Sequence, residues 1–358
     1  MPSIRMDEDA IYDAEKIGIG AYSPLEGFMV KNECSDVITK SRLSNGLPWT
    51  VPIVLVPPGP ENAKVISHLK EGDDVALLDQ NGRPFSILHL EEKFSINKDH
   101  FARAVYGTTD RNHPNVNDIY GLGDTALGGK IDLIRRLDLR AAKYELTPLE
   151  CRNEFRERGW KTVVGYQCRN PPHTAHEYLQ RCALELAEID GLLIHPVVGR
   201  LKRGDYKPEV IMEAYDVLVK NYYRRDRTLL ASLSITMRYG GPKAALFLAI
   251  VRRNYGCTHY IVGRDQAGVG SYYDPYACHR IFDEYDVGIV LLRFMETFFC
   301  SGCGWMATPK TCPHSPEHHI NTSQTRIRGL LKEGKALPME ILRPEVARIL
   351  GRGDVVIT

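Results

Sequence analysis

The sequence predicts an α/β protein with three regions, and a different pattern supports each of them. In residues 1–145, short apolar runs alternate with turn residues, which indicates a mostly β region. In residues 146–299, strand patterns alternate with helical patterns, which is typical of a doubly wound parallel sheet. Cysteine, histidine and proline are concentrated in residues 300–358, which indicates a small domain organised around zinc. We expect this domain to be α-rich.

Composition narrows the class of protein. The chain has 358 residues, of which 43% are hydrophobic and 25% charged, as in ordinary globular proteins. Its 46 basic and 45 acidic residues leave a formal net charge of +1, which attracts neither nucleic acid nor an anionic membrane. No apolar run reaches the roughly 18 residues of a membrane helix. The acidic N-terminus lacks a signal-peptide core, so we expect a cytoplasmic protein with reduced or metal-bound cysteines.

The N-terminal region contains one strong local signal. Asn81-Gly82 separates two alternating runs, which predicts a β-hairpin at that point. The segment 108–129 is rich in Gly, Asn and Asp and is expected to form an irregular surface loop. The predicted strands of this region cover residues 49–56, 74–78 and 85–90.

The central region alternates regularly between strand and helix patterns. Ligands of doubly wound sheets bind beyond the carboxyl ends of the strands, so the loops after Tyr166, Ile235 and Val262 are candidate ligand sites. The predicted strands are 162–166, 192–198, 229–235, 259–262 and 287–292, and the predicted helices are 174–188, 208–222, 242–255 and 275–285.

The loop 167–177 joins a predicted strand to a predicted helix and carries several hydrogen-bond donors. A helix N-terminus favours anions, and His173 and His176 lie three residues apart on one helix face. Arg169 adds a guanidinium suited to an oxyanion, and Gln167 and Asn170 add neutral donors. The loop therefore predicts a polyanion site, although a capping histidine beside a surface histidine would give the same spacing.

Several motifs resemble those of the ATP sulfurylase (sulfate adenylyltransferase) family. The first is the Gln-x-Arg-Asn-Pro-x-His-x-x-His pattern of residues 167–176, and the second is Gly-Arg-Asp-Gln-Ala-Gly at residues 263–268. Residues 23–29, 113–114 and 237–243 also resemble family segments, so the similarity runs along most of the chain. The resemblance implies a PUA-like N-terminal barrel and a nucleotidyltransferase domain, without a fused kinase-like domain. It also implies a homodimer.

The resemblance further implies a reaction between sulfate and the α-phosphate of MgATP, giving adenosine 5′-phosphosulfate and pyrophosphate. By similarity, Gln167, Arg169 and the backbone of Ala267 would bind sulfate. The catalytic residues implied are Cys168, Arg169, Asn170, His173 and His176. The ATP-binding residues implied are Gln167, Asn170, His173, His176, Gly263, Arg264, Asp265, Gln266 and Met295.

Two positions depart from the family pattern. Cys168 stands where the family usually has Thr, and Gln266 stands where it has His. A thiol is a weak donor and an amide cannot be protonated, so both could reduce the rate. Arg264 with Asp265 is also compatible with a structural ion pair. Arg238 is compatible with either an anion cleft or a helix cap, and residues 321–331 with either a nucleotide contact or packing.

The C-terminal cysteines have the spacing of a structural zinc site. Cys300, Cys303 and Cys312 supply three thiolates, and tetrahedral zinc needs one further ligand. His314 is the favoured fourth ligand and His318 the alternative. A redox-active Cys-x-x-Cys pair is the competing interpretation.

Three other functions fit parts of the sequence. A nucleotidyltransferase with another acceptor, such as a pantetheine or nicotinamide nucleotide, would also need paired histidines. An RNA-binding module would suit the β region and the zinc element, but the net charge of +1 argues against it. A pseudoenzyme weakened at Cys168 and Gln266 is the third.

Overall fold

The computed structural model describes residues 1–138 and 141–357. Within those residues no helix has the length and apolar character needed to cross a membrane. The chain divides into two compact units, and neither is continuous in sequence. The first unit comprises Met1–Asp138, Ile235–Tyr255 and Asp265–Ile289, and the second comprises Leu139–Ser234, Gly256–Arg264 and Val290–Thr358.

The N-terminal part of the first unit is a five-stranded sheet flanked by five helices. Its strands follow the order β1-β3-β4-β5-β2 and pair antiparallel except for β1 with β3. The elements are β1 (Ser3–Arg5), α1 (Glu8–Gly18), β2 (Gly27–Phe28), α2 (Lys31–Lys40), α3 (Pro60–His68), β3 (Asp74–Leu78), β4 (Pro84–Ser95), α4 (Lys98–Tyr106), α5 (Pro114–Gly121) and β5 (Thr125–Leu133).

Two local expectations for this region were wrong, while the hairpin was correct. β3 and β4 pair antiparallel around Gly82, whose φ of 76° suits glycine. Residues 49–56 form no continuous strand, because Pro52 lacks an N–H and only Leu55 makes a ladder bridge, to Leu127. Residues 108–129 are not irregular throughout, since they contain α5 and the start of β5.

The described residues after 140 form the parallel sheet, a small antiparallel sheet and seven helices. Their bounds, in chain order, are α6 (Pro148–Glu157), β6 (Val163–Tyr166), α7 (Thr174–Leu184), β7 (Gly191–Ile194), α8 (Pro208–Tyr222), β8 (Thr228–Leu230), α9 (Pro242–Asn254), β9 (His259–Val262), α10 (Ala277–Glu284), β10 (Val290–Arg293), β11 (Phe298–Cys300), β12 (Trp305–Ala307), β13 (His319–Ile320), α11 (Gln324–Lys332) and α12 (Pro344–Leu350).

The predicted parallel sheet is confirmed. Its strand order is β10-β9-β6-β7-β8, and all four pairings are parallel. Successive strands run outward from β6 to β8 on one side, while β9 and β10 lie on the other side. The order therefore reverses between β6 and β9, and ligands of such sheets bind outside the carboxyl ends of the strands at this reversal.

A continuous hydrophobic core surrounds the centre of this sheet. β6 and β7 are buried at every position, as expected for parallel strands covered on both faces. Buried residues of α7, α8 and α12, together with Ile327 of α11, pack into the same core. The C-terminal helices thus share the core of the parallel sheet, and they follow the small sheet β12-β11-β13. The domain boundaries at residues 145 and 299 stay predictions.

Candidate functional site

The loop between β6 and α7 places two histidines in contact at the start of a helix. His173 is the N-cap of α7, with extended backbone dihedrals (φ −134°, ψ 172°) and no side-chain capping bond. Its ring stacks on that of His176, with centroids 3.7 Å apart and planes 30° apart. Nδ1 of His173 is buried and has no hydrogen-bond partner among the described residues. A buried, unpartnered imidazole nitrogen at a helix N-terminus is a feature of a ligand site.

Both imidazoles are neutral in the free protein. Burial, with a smaller contribution from His176, holds the pKa of His173 well below its usual value. Burial also lowers the pKa of His176 to about 3. The Tyr215 hydroxyl lies 3.5 Å from Nδ1 of His176, and donation there leaves the ring proton on Nε2. Each ring therefore offers one donor, and a polyanion would favour its protonation.

The two residues whose side chains are predicted to bind sulfate, Gln167 and Arg169, are held by side chains outside the loop. The Tyr260 hydroxyl on β9 donates to Oε1 of Gln167 at 3.1 Å, which fixes the orientation of the amide. Nη2 of Arg169 lies 3.2 Å from Oδ2 of Asp205, in the connection between β7 and α8. Sequence reasoning missed both partners, because each is distant in sequence from the loop.

The C-terminal part of the chain contacts the same loop. Arg328 on α11 donates from Nη2 to Oδ1 of Asn170 at 3.2 Å, and from Nη1 to the Gly204 carbonyl at 2.6 Å. Gln324 donates to the Pro171 carbonyl at 2.8 Å. The segment 321–331, left open between a nucleotide contact and packing, therefore lies directly against the loop.

The predicted polyanion loop also has hydrogen-bond acceptors close to it. Asp205 brings a carboxylate to Arg169, and each neutral histidine retains an acceptor nitrogen. Glu177, the acidic residue of the loop, is bound by Arg181 and in bidentate fashion by Arg343. Cys168 is buried in the hydrophobic core of the second unit.

The other predicted nucleotide residues follow β9 and β10. In the second unit, Nε of Arg264 lies 3.7 Å from Oε2 of Glu296, and Met295 is half-buried. This contact is an alternative to the Arg264–Asp265 pair considered from the sequence. Gly263 has room for a Cβ, since the nearest atom would be 3.8 Å away.

In the first unit, Asp265, Gln266 and Ala267 form a loop with unusual backbone geometry. Asp265 and Ala267 have φ values of 56° and 57°, a region that side-chain-bearing residues rarely adopt. The Ala267 carbonyl accepts from the Gly241 N–H at 3.0 Å, and the Asp265 N–H donates to Pro275 at 2.7 Å. Such strained loops concentrate at functional sites.

Arg238 belongs to a buried ion pair of the first unit. Its guanidinium contacts Oδ2 of Asp13, and the two side chains are 12% and 7% exposed. The Tyr22 hydroxyl donates to the other oxygen of Asp13 at 3.2 Å. The guanidinium of Arg238 is therefore paired with the carboxylate of Asp13, which favours a structural role for Arg238 over a role in binding an anionic ligand.

Four C-terminal side chains converge in a geometry that could hold a metal ion. The Sγ atoms of Cys300, Cys303 and Cys312 and a ring nitrogen of His314 all lie within 4.8 Å of one another. Cys303 and Cys312 are 3.8 Å apart at sulfur, and Nδ1 of His314 is 3.3–3.8 Å from the three sulfurs. A tetrahedral zinc ion with Zn–S bonds of about 2.3 Å requires sulfur separations of about 3.8 Å. The donor set and spacing therefore fit zinc.

His318, the alternative fourth ligand, has other contacts. Its Nδ1 lies 3.1 Å from the Ser301 hydroxyl. Gly302 lies against the His314 ring, where a Cβ would come within 2.7 Å, so the Cys-x-x-Cys turn needs glycine at this position.

Comparisons with known proteins identify the family of the chain. A model of the ATP-sulfurylase family matches residues 142–352, and a PUA-like domain model matches residues 1–136. A sulfate adenylyltransferase of Halothermothrix orenii is 46% identical over 358 residues, covering 99% of this chain and 92% of the relative. One from Pyrococcus abyssi is 44% identical, covering 99% of this chain and 91% of the relative.

A solved structure shows the same fold at lower identity. The hexameric APS kinase from Thiobacillus denitrificans superposes with a TM-score of 0.76 at 23% identity. The match covers 99% of this chain and 63% of that protein. The predictions of the family, of the PUA-like and nucleotidyltransferase folds and of a nucleotidyltransferase enzyme are confirmed. The chain belongs to the ATP-sulfurylase family.

Proposed function

We propose that this protein is a sulfate adenylyltransferase, which converts MgATP and sulfate into adenosine 5′-phosphosulfate and pyrophosphate. A sulfate oxygen attacks the α-phosphorus, and the bond from that phosphorus to the α,β-bridging oxygen breaks. Pyrophosphate leaves with the electron pair. Because sulfate is itself the nucleophile, the chain needs to supply positioning and charge stabilisation and no nucleophile of its own.

The observation that carries the proposal is the unpartnered Nδ1 of His173, stacked on His176 at the N-terminus of α7. Because the pKa values of both imidazoles are low, the rings are neutral, and each can donate an N–H hydrogen bond to a polyanion without first taking up a proton. We assign His173, His176 and Asn170 to the phosphates of ATP, where they would stabilise charge as it develops. The position of β6 beside β9 in the strand order supports a ligand at this loop.

The remaining assignments extend the resemblance residue by residue. Gln167, Arg169 and the backbone of Ala267 are proposed to bind sulfate. Gly263, Arg264, Asp265, Gln266 and Met295 are proposed to bind the nucleotide. Cys168 is the weakest of the catalytic assignments, because its side chain lies in the hydrophobic core.

The Cys300, Cys303, Cys312 and His314 cluster is proposed to hold a structural zinc ion. Four protein ligands leave no open coordination position, so the ion would stabilise the small sheet and take no part in the reaction. We also propose that the protein assembles as a homodimer in the cytoplasm.

The decisive experiment is sulfate-dependent release of pyrophosphate from MgATP. We expect the wild-type protein to release pyrophosphate only when sulfate is present. His173→Ala is expected to slow turnover on the order of 10²–10³-fold, since it removes an oriented donor. His100→Ala, at an exposed position of α4, is the matched control and should behave as wild type. A wild-type protein without sulfate-dependent release would refute the function, and an unaffected His173→Ala variant would refute the role of His173.

A further inference from the structure

Arg169 occupies a position where its own charge is difficult to accommodate. Its side chain is only 20% exposed, and burial lowers its pKa. The guanidinium of Arg328 lies near enough to disfavour the charge further, while Asp205 is the carboxylate that opposes both effects. Asp205 therefore stabilises the charge of Arg169 at this position.

Asp205 is itself held by the backbone around it. Its Oδ2 accepts from the Lys202 N–H at 3.1 Å, which closes a short turn. The side chain is 14% exposed, so little water competes for the carboxylate. The backbone of this turn therefore helps to orient the carboxylate of Asp205 toward Arg169.

The segment that carries Asp205 has no helix or strand of its own, and residues 355–357 hold it in place. Gly204 donates to the Ile357 carbonyl at 2.9 Å, and Ile357 donates back to the Asp205 carbonyl at 2.8 Å. Lys207 donates to the Val355 carbonyl at 3.0 Å, which completes a short antiparallel bridge. Arg328 adds a bond to the Gly204 carbonyl at 2.6 Å. These contacts fix the backbone on both sides of Asp205.

We propose that Asp205 is the positioning residue for Arg169, holding its guanidinium in the orientation that binds sulfate. The inference rests on the proposed function of the site. A guanidinium has five N–H groups in a planar fork, so a carboxylate at one edge leaves the geometry for an oxyanion at another. An arginine side chain samples many rotamers, and a fixed partner restricts them before sulfate arrives.

The Asp205→Asn substitution removes the negative charge of the side chain and keeps its size and shape. The amide oxygen can still accept from the Lys202 N–H and from Arg169, but the bond to Arg169 loses its charge assistance. We expect the sulfate KM to rise on the order of 10-fold and the ATP KM to change less than about twofold. Asp205→Ala removes the bond entirely and is expected to raise the sulfate KM up to ~100-fold. Asp226→Asn, in an exposed ion pair with Arg224, is the matched control.

A double-mutant cycle tests whether Asp205 acts through Arg169. In an Arg169→Met background, Asp205→Asn is expected to change the sulfate KM less than about threefold, because the group it orients is gone. Additive effects, equal changes in the KM of both substrates, or a lower sulfate KM would overturn the proposal. Titration calorimetry of sulfate, with an α,β-methylene ATP analogue present, gives a second readout. Were the wild type inactive, weaker sulfate binding by Asp205→Asn than by the wild type would uphold the pairing. Unchanged sulfate binding by the variant, or no sulfate binding by the wild type, would overturn it.

Discussion

The buried pair of Arg238 and Asp13 leads to a quantitative prediction about stability. Replacing Arg238 by Met keeps much of the apolar stem and removes the charge that balances Asp13. The carboxylate would then be left at a position 7% exposed, with the Tyr22 hydroxyl as its neutral donor. Breaking a buried pair by removing one partner costs about 3–5 kcal/mol. We therefore expect Arg238→Met to lower the free energy of unfolding by about that amount at pH 8.

The expected loss depends on pH in a defined direction. Burial raises the pKa of Asp13 even with Arg238 present, and removing Arg238 raises it further. A carboxyl whose folded pKa exceeds its unfolded value contributes stability at low pH and loses it as the pH rises through the folded pKa. The stability deficit of Arg238→Met should therefore be smaller at pH 5 than at pH 8.

Urea unfolding followed by tryptophan fluorescence measures this effect, because Trp49 lies in the same unit and packs edge-on against Phe247. The double variant Asp13→Asn with Arg238→Met should recover most of the lost stability, since no charge is left unpaired. Arg224→Met, in an exposed pair with Asp226, is the control and should change little. An Arg238→Met variant of normal stability that had lost pyrophosphate release would refute the structural assignment.

Two further predictions concern the metal cluster and a surface histidine. The Cys303→Ser variant is expected to lose one equivalent of zinc on dialysis and to have a lower thermal midpoint. The control variant Cys182→Ser should retain the metal. Equal zinc content in both variants would contradict the proposed zinc site. His89 contacts Asp132 at 3.0 Å and Asp74 at 2.7 Å, and these hydrogen bonds raise its pKa. Because the folded pKa exceeds the unfolded one, this stabilisation is complete below about pH 6.5 and is lost as the pH rises. His89→Gln should therefore reduce the denaturant midpoint at pH 5.5 and not at pH 9, and an equal reduction at both would count against the charged bridge.

Local patterns predicted the elements that depend on local chemistry. α8 and β9 match their predicted bounds, since proline opens the helix and a buried apolar run forms the strand. Sequence reasoning missed α5, although His113 is its N-cap and Pro114 is its first residue, which together are a helix start signal. The high content of Gly, Asn and Asp in the surrounding segment favoured a loop instead. β8 ends at Leu230, before the predicted residue 235, because the chain leaves the ladder and rejoins it only through a bridge at Leu233.

The sequence predicted the residues of the candidate site that belong to the motif, but it did not predict the residues that hold them in place. Gln167, Arg169, Asn170 and the two histidines lie within residues 167–176, so a single motif identifies them. Their partners Tyr260, Asp205 and Arg328 come from three other segments, and only the folded sheet brings them together. Their residue types are common, and nothing in their spacing distinguishes them from ordinary surface or core residues.

The discontinuous first unit has a consequence for synthesis on the ribosome. Thr50 bonds to the Lys243 carbonyl, 193 residues further along, so its partner is made long after it. At about 5–20 residues per second, that interval is roughly 10–40 s. During this time the faces that later receive α9 and α10 are without those helices, and Trp49 lacks the ring of Phe247. Nascent chains of intermediate length are therefore expected to bind holdase chaperones, and release should follow once residue 289 has left the exit tunnel.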